Sequence, residues 1–204
     1  MNLPATPVSR LELASANARP LGLVPLDHPA LRAIARPLAE ETFGSPELAR
    51  YLKRFWRVLL EAPKGVGLAA PQVGHDFALF LLAWEDERLA LANPRRVGLP
   101  AFERLLDDEG CLSVPGFRAS VRRAAGLTVI GRDPNDGSER RIDATGFRAR
   151  ILAHETDHLV GRLYLDLLDP GTFVSVVPVA IMAPAAQAPA RPKRHASEHS
   201  KHSH

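Results

Sequence analysis

The stretch "AHETDHLVG", Ala153 to Gly161, decides how the rest of the chain is read. His154 and His158 stand four residues apart, with Glu155 after the first and Asp157 before the second. On a helix, positions four apart lie one above the other on the same face. Phe147 and Ile151 extend that row upstream, so Phe147, Ile151, His154 and His158 form one stripe that points inward. Two inward imidazoles need partners, because unpaired buried polar groups are costly. A shared metal ion is one such partner. Glu155 lies about 100° further round the helix, where it can flank an ion without occupying a coordination place.

The helix opens at Gly146 and ends near Gly161, and "LYLDLLDP" then closes the domain. Before it come short segments that read as strands: 77–83, 87–93, 119–123, 126–133 and 139–144. "PNDGS" joins the last two as a hairpin turn. Further upstream, "SPELARYLKRFWRVLLEA" (45–62) predicts an amphipathic helix. Ser45 is its N-cap, Pro46 suits its first turn, and Leu48, Tyr51, Leu52, Phe55 and Leu59 form one apolar stripe.

Two histidines do not complete a site. Cys111, the only cysteine, sits in the turn-rich run "DDEGCLSVPG", where Gly110 lets the backbone come close. A His, His, Cys set leaves one position open for water, as catalytic sites do. An ion held this way draws the pKa of that water toward neutrality. Attack on an amide or ester then builds an oxyanion that needs donors. "GVGLAAPQVG" (65–74) offers the side-chain amide of Gln72, with Gly65 and Gly67 permitting an unusual backbone path. Taken alone, this stretch reads first as a tight turn with a surface glutamine. A phosphate loop is disfavoured, since Leu68 and Ala69 follow Gly67 where Lys and Ser/Thr are needed.

The 204 residues allow one domain with a sizeable core, and no apolar run approaches a membrane span. A single cysteine forms no internal disulfide and fits a reducing compartment, the cytoplasm. Residues 1–20 lack the apolar segment of a secretory signal and read as a flexible extension. The basic pI is a property of the end of the chain. Arg191, Lys193, Arg194 and Lys201 against Glu198 account for the whole net charge of +3. No basic face for specific nucleic-acid binding is expected in the body. Residues 178–204 are Ala/Pro-rich and then basic, with four of the eight histidines, and read as a disordered, solvated tail.

"GVGLAAPQ", "EGCLS" and "HETDH" stand in that order, and together they resemble the three signature motifs of peptide deformylase. "DHPALR" and Asn93-Pro94 are similar to that family too, and the resemblance covers roughly residues 21–170. It implies a catalytic domain over 21–177 with an α+β fold: antiparallel β-sheets around the metal-bearing helix, with a second amphipathic helix. It implies removal of the formyl group from the initiator methionine of nascent polypeptides, with release of formate. Carried over by position, Cys111, His154 and His158 bind one divalent ion, commonly Fe(II), with Zn, Ni or Co accepted. Glu155 is the general acid/base, and Gln72 and the Leu112 backbone N–H hold the oxyanion. Val66, Gly67 and Gly110 pair with an extended substrate, and Phe147 and Ile151 line the pocket for the methionine side chain. As core residues, these last two need no function at all.

The chain departs from the family pattern at Ala153, where glutamine is usual before the first metal histidine, and at Ala78, where arginine is frequent. It therefore reads as a divergent member; separately, a monomer is expected. Two rivals stand beside it. One is a metal amidohydrolase or peptidase acting on other N-acyl peptides. Zincins of that kind place the third ligand downstream, whereas here Cys111 lies upstream. The other is a non-catalytic paralogue that docks on the ribosome through its basic tail. Intact Cys111, Gln72 and Glu155 argue against a loss of chemistry.

Overall fold

The computed structural model describes residues 6–97, 104–169 and 174–176. Among the described residues, eight strands form two antiparallel sheets. The larger has the order β1 (Gly67–Ala69), β2 (Leu79–Trp84), β3 (Glu87–Val97), β6 (Gly126–Arg132), β7 (Glu139–Thr145). The smaller has the order β4 (Arg104–Cys111), β5 (Val114–Ala124), β8 (Val174–Val176). The architecture is α+β, as the motif resemblance implies.

The large sheet is covered on both faces, which explains why β2 reads as an unbroken apolar run rather than an alternating one. Leu79 and Leu81 pack with Leu68 against α2 (Pro46–Glu61), through Leu48, Tyr51, Phe55 and Leu59. Phe80 and Leu82 point the other way, onto Ala149, Ile151 and Leu152 of α3 (Gly146–His158). The histidine helix thus lies against one face of the large sheet, and it also contacts β5 of the small sheet. Ser45 caps α2 by accepting from the Leu48 N–H at 3.2 Å, as its position predicts.

A bulge in β3 changes which face its later residues occupy. Ala92 pairs with Arg132, but Arg95 pairs with Ile130, so one extra residue is inserted around Asn93 and Pro94. Side chains alternate with period two, so the insertion flips every later residue to the opposite face. Leu89 and Leu91 face α3 before the bulge. After it, Arg96 takes that face, opposite Val129. Asn93 adopts φ 49°, and its amide grips Leu38 through both the N–H and the C=O.

The extension expected over residues 1–20 is corrected for the part that is described. Arg10–Asn17 form α1, with a full capping box between Ser9 and Glu12. Val8 and Leu13 are completely buried against the α2 side of the core. Val8 also bonds to Pro37 and Ala39, and Arg36 pairs with Glu12 and Asp76. A sparse apolar pattern hid this: only one face of a two-turn helix needs burying, and Val8 lies outside the helix. Ala78, at the position where the motif resemblance leads one to expect arginine, is fully buried. Its N–H donates to the Arg36 carbonyl at 2.7 Å. The tail from residue 178 lies outside the described residues.

Candidate metal centre and active site

Three elements converge on one cavity of about 830 Å3. β4 ends in Cys111, and a turn at Leu112–Ser113 leads into β5. The register breaks between Gly110 and Cys111, which leaves Pro115 to Phe117 without partners on β4 and turns Cys111 toward the helix. Cys111 is therefore a strand residue at a broken ladder, not a residue of an irregular run. α3 presents His154 and His158, and the 310 turn Ala70–Val73 after β1 presents Gln72.

The Cys111 Sγ lies 3.3 Å from His158 Nε2, which lies 3.2 Å from His154 Nε2. All three donor atoms are within 4.8 Å of one another. An ion bound tetrahedrally by two imidazoles and a thiolate spaces its donors about 3.4–3.6 Å apart. The chemistry of the set fits as well. His154 uses Nδ1 to bond the Glu109 carboxylate at 3.0 Å, which leaves Nε2 free for the centre. Burial opposes a charge on His154, but its bonds to Cys111 and Glu109 raise its pKa to about 10. The proton so held competes with an ion for Nε2 and leaves when one binds, while the Glu109 carboxylate behind Nδ1 orients the ring and makes it a more basic ligand. Burial, then the charges of His154 and Arg123, push His158 well below the usual histidine range, so it offers a neutral lone pair. Cys111, His154 and His158 can hold a metal ion.

Glu155 is buried beside them, with Oε2 lacking any hydrogen-bond partner. Burial pushes its pKa up to about 7, although the charge of His154 opposes this. Its place exists because residue 67 is glycine: a Cβ there would lie 2.3 Å from Glu155 Oε1. Gln72 is oriented from within its own turn. Its Oε1 accepts from the Ala69 N–H at 2.7 Å, which aims Nε2 at Cys111 Sγ and Ser113 Oγ, each 3.4 Å away. The reading of Gln72 as a surface residue fails, since it is 1% exposed. Val66, Gly67, Gly110, Leu112, Phe147 and Ile151 all border the cavity. Phe147 departs from the inward stripe: it is 40% exposed and leans on Trp84 at the rim.

Beneath the centre runs a buried ion-pair network that the sequence reasoning missed. Glu109 accepts two bonds from one edge of the Arg123 guanidinium, Nε and Nη2, and others from Arg150 at 2.7 Å and from His154. Although burial opposes it, Arg123 and His154 hold the Glu109 carboxyl well below the usual carboxylate range. Asp157 bonds Arg123 and Arg96. A signal was present for Glu109: on a strand, residues two apart share a face, and Glu109 precedes Cys111 by two.

A thiol and two imidazoles around one point, with a buried carboxyl at hand, place the protein among metal-dependent hydrolases. Comparison with known proteins narrows this. The polypeptide deformylase family model matches residues 20–173. Chloroplastic peptide deformylase 1A of Solanum lycopersicum is 37% identical over 172 residues, which cover 76% of this chain and 61% of that protein. Peptide deformylase 1 of Bordetella pertussis is 39% identical over 151 residues, 70% of this chain and 84% of that one. A class I type b peptide deformylase from Acinetobacter baumannii, solved with Met-Ala-Ser bound, superposes with TM-score 0.67 at 30% identity, covering 72% of this chain and 96% of that one. The chain belongs to the polypeptide deformylase family, and it is an enzyme of that kind, a hydrolase that removes a formyl group. No helix among the described residues is long and apolar enough to cross a membrane.

Proposed function

We propose that the chain deformylates nascent polypeptides that begin with formyl-methionine, using Cys111, His154 and His158 to hold one divalent ion. The observation that carries this is the meeting of those three donors at one point, with Cys111, His154, Glu155 and Gln72 lining the same cavity. The ion, when bound, supplies Lewis acidity that acidifies a water and polarises the formyl oxygen. Mixed nitrogen and sulfur donors accept Fe(II), which we take as the working ion, and also Zn, Ni or Co.

The side chains divide the remaining work. Glu155 takes a proton as water adds to the formyl carbon, and returns it to the methionine nitrogen as the C–N bond breaks. Formate and a free amino terminus result. A carboxyl held near neutrality by burial suits both halves of that exchange. The Gln72 Nε2 and the Leu112 N–H stabilise the negative charge on the former carbonyl oxygen. Each donor fixed in advance for that charge contributes on the order of 3 kcal/mol. β1 and β4 are both edge strands, and Val66, Gly67 and Gly110 give an extended peptide backbone partners on either side of the cleft. Ile151 and Phe147 line the space for the methionine side chain. One chain supplies every group, in keeping with a monomer. The lone thiol and the formylated substrate are in keeping with the cytoplasm.

The test is formate release from a formyl-Met tripeptide by protein loaded without oxygen with Fe(II), Ni or Zn in parallel. Turnover is expected with wild type and nearly abolished in Glu155→Ala, which should still carry its ion. Absence of formate with every ion, despite one equivalent bound, would refute the proposal and favour other N-acyl peptides.

A further inference from the structure

Arg96 is not used by the proposed chemistry, yet it reaches the helix that carries both histidines. The bulge around Asn93 and Pro94 is what aims it there; with an unbroken register, residue 96 would face α2. From β3 its guanidinium spreads over one stretch of α3. Nε donates to Thr156 Oγ1 at 2.8 Å, and Nη2 donates to the Ala153 carbonyl and to Asp157 Oδ1 at 2.7 Å. Those three residues precede His154, follow Glu155 and precede His158. The side chain is 30% exposed while Asp157 is 2% exposed, so the contact is made at the inner end of a partly solvated arm.

The arm also closes a chain of charges. Asp157 Oδ2 accepts from Arg123, whose guanidinium clamps Glu109 through two bonds, and Glu109 accepts from His154 Nδ1. Arg123 alone touches Asp157 at one oxygen and leaves Oδ1 to Arg96, with Arg162 further off at 3.8 Å. Removing Arg96 would strip the deeply buried Asp157 of one of its two close cations. It would also free the helix to shift along the sheet, and with it both imidazoles.

We infer that Arg96 is a positioning residue for the metal centre, fixing the rotation and height of the histidine helix so that His154 and His158 meet Cys111 at one point. The planar fork divides these bonds between Nε, on Thr156, and Nη2, on the Ala153 carbonyl and Asp157, a fixed spread that a single ammonium nitrogen does not reproduce. Outer partners of this kind typically change metal affinity by about 10- to 100-fold. The inference rests on the proposed ligand set of Cys111, His154 and His158.

The experiment uses the full chain loaded with Co(II), whose thiolate charge-transfer and ligand-field bands report geometry without turnover. Release of the ion to a chelator is followed in wild type, Arg96→Met, Arg96→Lys and Thr156→Val. Arg96→Met should release Co(II) at least tenfold faster with altered ligand-field bands. Arg96→Lys should recover only part of the difference, and Thr156→Val should show a smaller change of the same sign. If Arg96→Met keeps both the wild-type spectrum and release rate, Arg96 has no positioning role, whatever it does to the melting temperature. If Arg96→Met does not fold, Thr156→Val and Arg96→Lys decide by the same criterion. Failure of the ligand set itself looks different: wild type would show no thiolate band, and Cys111→Ala would bind Co(II) as wild type does.

Discussion

Gly67→Ala isolates the step that rests on Glu155. A Cβ at residue 67 would stand 2.3 Å from Glu155 Oε1, 2.7 Å from Cδ and 2.9 Å from Cγ. Ordinary contact needs about 3.5 Å, so the carboxyl group must retreat by roughly 1 Å. Gly67 is absent from the positive-φ glycines, so alanine brings no backbone strain there. Its N–H and C=O also remain for β1 pairing and for a substrate strand. The effect therefore falls on the carboxylate alone. A misplacement of about 1 Å at a reacting group costs on the order of 100-fold in rate, which is about 2.7 kcal/mol of barrier. Steady-state formate release should show kcat reduced by about that factor with KM little changed, and metal analysis should still find one equivalent per chain. A kcat within about threefold of wild type, with the ion present, would mean that the position of Glu155 does not limit the reaction.

Other consequences are as direct. Cys111→Ala removes one donor of three and should lower metal content and turnover together; a variant that kept both would overturn the ligand set. Gln72→Leu should lower kcat by roughly 100- to 1000-fold, the usual loss for one oxyanion donor, with metal content unchanged. Leu13→Ala should destabilise the fold by about 2–5 kcal/mol in denaturant titrations, because a fully buried leucine leaves a cavity; no change would restore the picture of a loose amino terminus. The Ser9 backbone N–H, and then Arg36, lower the Glu12 pKa from its ordinary 4.5. A depressed carboxylate stabilises the fold above its unfolded value, and that contribution disappears as pH falls through the folded one. The stability gap between wild type and Glu12→Gln should thus be present near neutrality and shrink below about pH 4.5; a gap undiminished in acid would contradict this.

The amino-acid sequence by itself determined the chemistry of the site. Histidines four apart on one helix face, a lone cysteine in a Gly-flanked motif and a glutamine after a glycine-rich turn are local patterns, and residue type carries them. It also determined α2 and the β6–β7 hairpin, because cap, apolar stripe and turn residues all lie within a few positions of each other. The strand character of residues 104–111 was not legible. "RLLDDEGC" shows little alternation because β4 is an edge with most of its side chains in solvent, and the buried Glu109 is stabilised by Arg123, Arg150 and His154 from elsewhere in the chain. The same holds for Asp157 and Arg96. Their charges look like those of a solvated surface until the fold places opposite charges against them, and the face Arg96 occupies depends on a single inserted residue in β3. Local pattern names the groups that can do chemistry. Which buried charges hold those groups in place is a matter of contacts between residues tens of positions apart, and only the tertiary structure brings them together.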